Sequence, residues 1–151
     1  MADVYTPEWY DLVKEAINNR VAGMDGLPPE TLHIAVDIEG DGVSPYVDEA
    51  SSRHFLIRIA KGACEWYREV DEAAQSTDEI KLDYRFVGPA SEFDAVVGGV
   101  IDPIDAALGG VIKVRGDMRF LMRQAEHVQV LLDAYTHGVQ TDWPKGEPPY
   151  A

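Results

Sequence analysis

Hydrophobic and polar positions recur along this chain with two different periods, and the switches between them mark out its elements. Trp9, Leu12, Val13, Ala16 and Ile17 fall on one face at helical spacing. Thr6-Pro7-Glu8 in front supplies an N-cap candidate, a proline at the first helical position and an acid for the helix dipole, while Gly23 or Gly26 offers a stop. From Leu32 the period drops to two. Leu32, Ile34, Val36 and Ile38 alternate with His33, Ala35, Asp37 and Glu39, which predicts a strand with one dry and one wet face. A turn-rich stretch through Gly40-Asp41-Gly42 to Pro45 leads to a second strand on Phe55, Ile57 and Ile59. Lys61-Gly62 reads as a tight turn into a third through Cys64, Trp66 and Arg68. An acidic loop follows from Asp71 to Asp78, and Ile80 to Val87 is a fourth strand, with Ile80, Leu82, Tyr84 and Phe86 on one side. Short links predict that the first three strands are antiparallel neighbours.

Beyond Gly88-Pro89 the period lengthens again. Ser91 is placed to cap a short helix carrying Phe93, Val96 and Val97, and Asp102-Pro103 to cap and start another from Ile104 to Leu108. Each ends in Gly-Gly-Val-Ile (98–101 and 109–112). We read both as helix exits, because glycine tolerates the left-handed conformation that ends a helix. No GxGxxG or GxxxxGK[ST] pattern accompanies them, so they carry no phosphate-loop signature. Val111 to Arg115 is a fifth strand. Gly116-Asp117 then turns into the longest predicted helix, Met118 to about His137, with Met118, Leu121, Met122, Ala125, Val128, Leu132 and Tyr135 on one stripe and Phe120 and Leu131 widening it. Residues 1–140 form a single domain, and residues 141–151, from Thr141 through Trp143-Pro144 to Ala151, form a C-terminal tail.

Composition narrows the function classes. At 151 residues the chain suits one domain with a sizeable core. A net charge of −14, from 13 Lys+Arg against 27 Asp+Glu, argues against nucleic acid as a partner and against tight binding to an anionic membrane. No run approaches the roughly 20 apolar residues of a membrane span. The first dozen residues have no basic or apolar leader region, and the single cysteine, Cys64, cannot form an intramolecular disulfide. The expectation is a cytoplasmic protein with no integral membrane segment.

Candidate chemistry is sparse. The four histidines His33, His54, His127 and His137 show no HxH or HExxH spacing, and we expect no metal. His33, Asp37 and Glu39 share a strand face, read most simply as the solvated side of an edge-like strand. Cys64 alternates inward and predicts a buried, inert thiol. Asp83, Asp94, Asp102, Asp105 and Asp117 each have an ordinary duty as strand-face charge, helix cap or first-turn acid, and no cofactor signature is present. What stands out is an apolar surplus: Phe86, Phe93, Val97, Ile101, Ile104, Leu108, Met118, Leu121 and Met122 exceed what two short helices need to cover a sheet. Such a surplus suits a filled core or an apolar ligand cavity.

An ordered motif favours the second. Leu82 to Phe86, Ser91-Glu92-Phe93, Gly99-Val100-Ile101-Asp102-Pro103, Ala106-Ala107-Leu108 and Gly110-Val111-Ile112-Lys113-Val114-Arg115-Gly116-Asp117-Met118, with the helix after it, resemble the sterol carrier protein 2 family. The resemblance implies an α+β fold, with a five-stranded, mostly antiparallel sheet covered by helices and enclosing an apolar cavity. It implies binding and transfer of a fatty acid, sterol or other lipid without a cofactor. The lining it implies is Trp66, Leu82, Tyr84, Phe86, Phe93, Val97, Ile101, Ile104, Leu108, Ile112, Val114, Met118, Leu121, Met122 and Ala125, with no catalytic residue. Few cations are available for an acyl-CoA; Lys113, Arg115, Arg119 and Arg123 are the only local cluster. Two alternatives stay open. One is a small enzyme or accessory subunit on an aromatic or steroid-like substrate, using Tyr84, Asp94 or His127. The other is a solid-cored module that forms a homodimer through Phe120 and Leu131.

Overall fold

A computed structural model describes residues 2–150. Its elements follow the sequence periods in order: β1 (Ala2–Asp3), α1 (Pro7–Val21), β2 (Thr31–Glu39), β3 (Ser52–Ala60), β4 (Ala63–Val70), β5 (Tyr84–Pro89), α2 (Ala90–Val97), α3 (Pro103–Leu108), β6 (Lys113–Gly116), α4 (Met118–Arg123), α5 (Ala125–His137) and β7 (Thr141–Asp142). The main sheet has five strands in the order β4-β3-β2-β5-β6. Every neighbouring pair is antiparallel except β2 and β5, which run parallel, so the fold is α+β with a mixed sheet. α1 precedes the first strand of this sheet, α2 and α3 link β5 to β6, and α4 and α5 follow β6; among the described residues no helix is long and apolar enough to cross a membrane.

The hairpin between β3 and β4 closes through Lys61 and Gly62, both at positive φ (52° and 83°), the two-residue turn whose twist matches that of the flanking strands. Both Gly-Gly pairs end helices as expected. Gly98 and Gly109 are C-caps, and Gly99 and Gly110 follow in the left-handed region at φ 74° and 77°. Asp102 accepts from the backbone N–H of Ile104 and Asp105, and Asp117 from that of Phe120.

Four expectations change. β2 is the central strand rather than an edge, so His33 and Asp37 on its second face are buried; Asp37 is held by His54 Nδ1 at 2.7 Å and by the Arg85 guanidinium. The fourth strand starts at Tyr84 and not Ile80, because Ile80 and Leu82 are tied to the Thr77 and Ser76 hydroxyls of the preceding loop. Ser91 does not cap α2, whose N-cap is Pro89; its hydroxyl instead donates to Asp41, tying α2 to the loop after β2. The long last helix is broken at Gln124 (φ −103°, ψ 26°) into α4 and α5. No proline or glycine marks that break. It lets α5 swing across so that His127 Nε2 donates to Gly62 O at 2.9 Å.

Residues beyond 140 fold back onto the body. β7 pairs with β1 in a two-stranded parallel ribbon, Trp143 packs on the core, and Tyr150 Oη donates to Asp94 Oδ2 at 2.7 Å. Ala151, the last residue of the expected tail, lies outside the described residues.

Candidate functional site

The helix-covered face of the sheet divides into two unequal halves. Over β3 and β4 the packing is complete. Trp9, Val13 and Ile17 of α1 press on Phe55, Ile59 and Cys64, all at or below 2% exposure. The Asn18 side chain locks α1 to β4 by donating to Cys64 O at 3.0 Å and accepting from Cys64 N at 2.8 Å. Tyr10 stacks on Tyr67 with ring centroids 5.2 Å apart, which adds an aromatic contact to the buried area.

Over β2, β5 and β6 it is not. Leu32, Ile34 and Val36 sit in the middle of the sheet and face the helices, yet they are only half-buried. The register places Ile34 beside Tyr84 and Val36 beside Phe86, and Phe86 beside Val114, so this face continues across three strands to the sheet edge. Phe86 and Val114 are half-buried as well, as is Phe93 of α2. In a filled two-layer core the central strand would be the most deeply buried of all. Here its inner face remains partly accessible.

The walls around this face are two helix pairs. On one side α2 and α3 enclose a small separate core of Val96, Ala106 and Ile112, with Phe86, Phe93 and Ile101 against it. On the other side α4 and α5 carry Phe120, Leu121, Val128 and Leu132. These four are half-buried, and neither they nor Val114 join either hydrophobic cluster. These side chains are the less deeply buried part of the apolar surface between the sheet and these helices. Its rim is more exposed still: Leu108 stands 82% and Met122 74% accessible, with Ile104 and Met118 beside them in α3 and α4. Two grooves of the described residues lie elsewhere and have charged side chains in their walls. One, of about 400 Å³, runs along Glu39, Val87, Lys113 and Arg115 on the opposite sheet face; the other, of about 320 Å³, follows Asp11, Lys14, Glu15 and Asn18 on α1.

The residues expected to line a cavity are thus distributed unevenly. Phe86, Phe93, Ile101, Val114 and Leu121 are half-buried, while Ile104, Leu108, Met118 and Met122 are exposed. Val97 and Ile112 are buried in the two cores, and Ala125 is exposed. Tyr84 is buried, its hydroxyl donating to Asp117 O at 2.9 Å. Trp66 pairs with Arg58 on the opposite face of the sheet, under the Arg68 guanidinium at 4.1 Å, and Leu82 lies in the loop before β5. Sequence reading missed Leu32, Ile34, Val36, Val128 and Leu132. The first three were legible as a strand face; what hid their role was that nothing in a single sequence says which strand ends up in the middle.

No polar group is aimed at this surface as a catalyst. Asp94, in α2, is fully buried and holds the Tyr5 hydroxyl at 2.6 Å as well as that of Tyr150. Burial lifts its carboxyl above the usual aspartate range, against the lowering effect of those donors. It fastens the two chain ends to α2. His127 is likewise occupied by Gly62 O. Cys64 is buried and its thiol is pushed up to about 11, which keeps it protonated and inert.

Comparison with solved structures identifies the architecture. A crystal structure titled sterol carrier protein 2 superposes with a TM-score of 0.70 at 17% identity, covering 91% of this chain and all of that one. The chain has the sterol carrier protein 2 fold. A solution structure of a conserved hypothetical protein from Thermus thermophilus, described as possibly a sterol carrier protein, gives a TM-score of 0.66 at 15% identity, with 95% and 93% of the chains covered. Sterol carrier protein domain 2 of Helicoverpa armigera gives 0.50 at 16% identity over 83% and 92%. No protein-family model matches the chain, and no curated protein matches it in sequence. The likeness is one of fold.

Proposed function

We propose that this protein binds a lipid-like hydrophobic molecule between the inner face of β2, β5 and β6 and the two helix pairs, and carries it from one source to another. The observation that supports this most is the half-burial of Leu32, Ile34 and Val36 at the centre of the sheet. Apolar side chains there gain by being covered, and a hydrocarbon chain covers them without requiring a polar partner. The sterol carrier titles of the proteins with this fold agree with the reading. Binding and release would need no cofactor, and the groups weighed for catalysis, Tyr84, Asp94 and His127, are each engaged by another part of the chain.

The energetics are adequate. Burying about sixteen methylenes contributes roughly 13 kcal/mol. Lost rotational and translational freedom costs about 5 kcal/mol, which leaves a net close to a micromolar dissociation constant. Scarcity of cations on the inner face favours a neutral lipid or a fatty acid over a CoA thioester.

The test is titration with a fluorescent fatty acid, followed by competition with unlabelled fatty acids, sterols and acyl-CoAs. Saturable binding near micromolar is expected, and Ile34→Trp, which fills the space, should weaken it at least tenfold while Trp66→Ala, on the other sheet face, leaves it unchanged. Absence of binding across all three ligand classes would refute the reading.

A further inference from the structure

Among the described residues, six of the seven large apolar side chains that stand exposed fall within 23 residues: Val100, Ile104, Leu108, Val111, Met118 and Met122. Singly exposed apolar residues are ordinary, but a concentration of this kind marks a surface made for contact. Four of them form two matching pairs. Ile104 and Leu108 stand four apart in α3, and Met118 and Met122 four apart in α4, so each six-residue helix shows one apolar pair on one side. The two helices flank β6, the edge strand, on the helix-covered side of the sheet. Ala106 of α3 belongs to the small core of Val96 and Ile112 on which Phe86 packs. The Tyr84 hydroxyl, from the same sheet face as Phe86, donates to Asp117 O at the start of α4. Both helices are lightly held by their own domain: Ala106 is the one buried residue of α3, and α4 has none.

Charge says what should meet them. On this side of the sheet, the exposed charged residues between 100 and 126 are Asp102, Asp105, Asp117 and Glu126 against Arg119 and Arg123; Lys113 and Arg115 belong to the opposite sheet face. The balance is slightly acidic, so the face offers no net attraction to an anionic partner. Its signs are segregated instead. Asp102 and Asp117 serve as helix caps, and Glu126 lies beyond the break at Gln124. That leaves Asp105 beside Ile104 on α3, and Arg119 and Arg123 beside Met118 and Met122 on α4. A surface with one apolar-acidic half and one apolar-basic half complements itself when turned about a two-fold axis, because α3 of one copy then meets α4 of the other. Pairing through β6 itself fits less well. Antiparallel pairing centred on Val114 would set Lys113 of each copy against Arg115 of the other.

We propose that two copies of this chain form an isologous dimer, α3 of each packed on α4 of the other. Leu108 and Met122 lie at its centre, and Asp105 pairs with Arg119 and Arg123 at its margin. The half-buried Phe120 and Leu131 take no part. Such a dimer does not depend on lipid carriage, and mass rather than lipid binding reports it.

The experiment is sedimentation equilibrium of the full chain through the micromolar range, at an ionic strength that screens its net charge of −14. A species of twice the 16.7 kDa chain mass is expected. Leu108→Asp with Met122→Asp should weaken it at least tenfold with circular dichroism unchanged. Val43→Asp, at the one large exposed apolar residue outside this face, should not. Asp105→Arg alone, and Arg119→Glu with Arg123→Glu, should each weaken self-association at least tenfold. An equal mixture of these two variants should recover a dimer, because each altered helix then meets its complement on the other copy. Recovery on mixing cannot come from a variant that merely fails to fold. A wild-type chain that stays monomeric throughout overturns the dimer, and sedimentation of that monomer with phosphatidylcholine vesicles would assign the face to lipid instead. A dimer untouched by Leu108→Asp with Met122→Asp overturns its placement on this face, and a mixture that stays monomeric overturns the packing of α3 on α4.

Discussion

Asp94 shows how much one side chain decides in this molecule. Its carboxyl gathers the Tyr5 and Tyr150 hydroxyls, from opposite chain ends, onto α2. Desolvation raises its affinity for a proton above that of the unfolded chain, with the two tyrosines and Ser44 pulling the other way. A raised native value means that the native state binds more protons than the unfolded state in the window between the two values. Stability contributed through this group therefore rises as pH falls through the native value and is lost as pH climbs above it. Comparing the pH dependence of unfolding in wild type and Asp94→Asn isolates the effect, since Glu69 and Asp41, both held below the usual carboxylate range, act in the opposite sense in both proteins. The wild-type minus variant stability should increase toward acid. Cys64 gives a second outcome at this scale. With its thiol buried against the Trp66 carbonyl and raised to about 11, it should react with a disulfide reagent at pH 8 far more slowly than in the unfolded protein, and a rate equal to that of free cysteine would contradict its placement.

At the scale of elements, local chemistry was legible wherever a residue acts on its own neighbours. Asp102 and Asp117 cap the helices they precede, and the two Gly-Gly pairs end helices, because these bonds close within a few residues. Where an element depends on a distant partner, the pattern misled. The alternation from Ile80 continued a strand that the Thr77 turn cuts short, and the apolar stripe from Met118 to Tyr135 hid a break at Gln124, beyond which His127 of α5 meets Gly62. The break has a consequence for motion. α4 contains no buried residue, while α1 contains six. Amide exchange should accordingly be much faster in α4 than in the α1 segment around Val13 and Ile17. Equal protection of the two would argue that α4 is packed as firmly as the rest. Gly116, the last residue of β6, stands before the Asp117 cap; a Cβ there would stand 2.3 Å from the Tyr84 ring, at a φ of 141°.

For the whole molecule, the layout of the sterol carrier fold was readable from the forty residues that carry its motif, while the division of the sheet into a deeply buried half and a half-buried one was not. That division comes from topology. α1 is fifteen residues long, amphipathic and seated on β3 and β4, whereas the other half is covered by short helices interrupted at Gly98, Gly109 and Gln124. Short helices meeting at angles leave more room beneath them than one long helix does. Trp66 and Leu82 illustrate the limit from the other side. Both are apolar residues at strand-like positions, and register or loop geometry carries them away from that space.

The most direct measurement is methyl NMR of the labelled protein titrated with a sixteen-carbon fatty acid. Resonances of Leu32, Ile34, Val36, Val114, Leu121 and Val128 should shift saturably, while those of Val13, Ile17, Ile57 and Ile59 in the deeply buried half stay in place. Shifts confined to the deeply buried half, or to Leu56 on the far face of the sheet, would contradict the account.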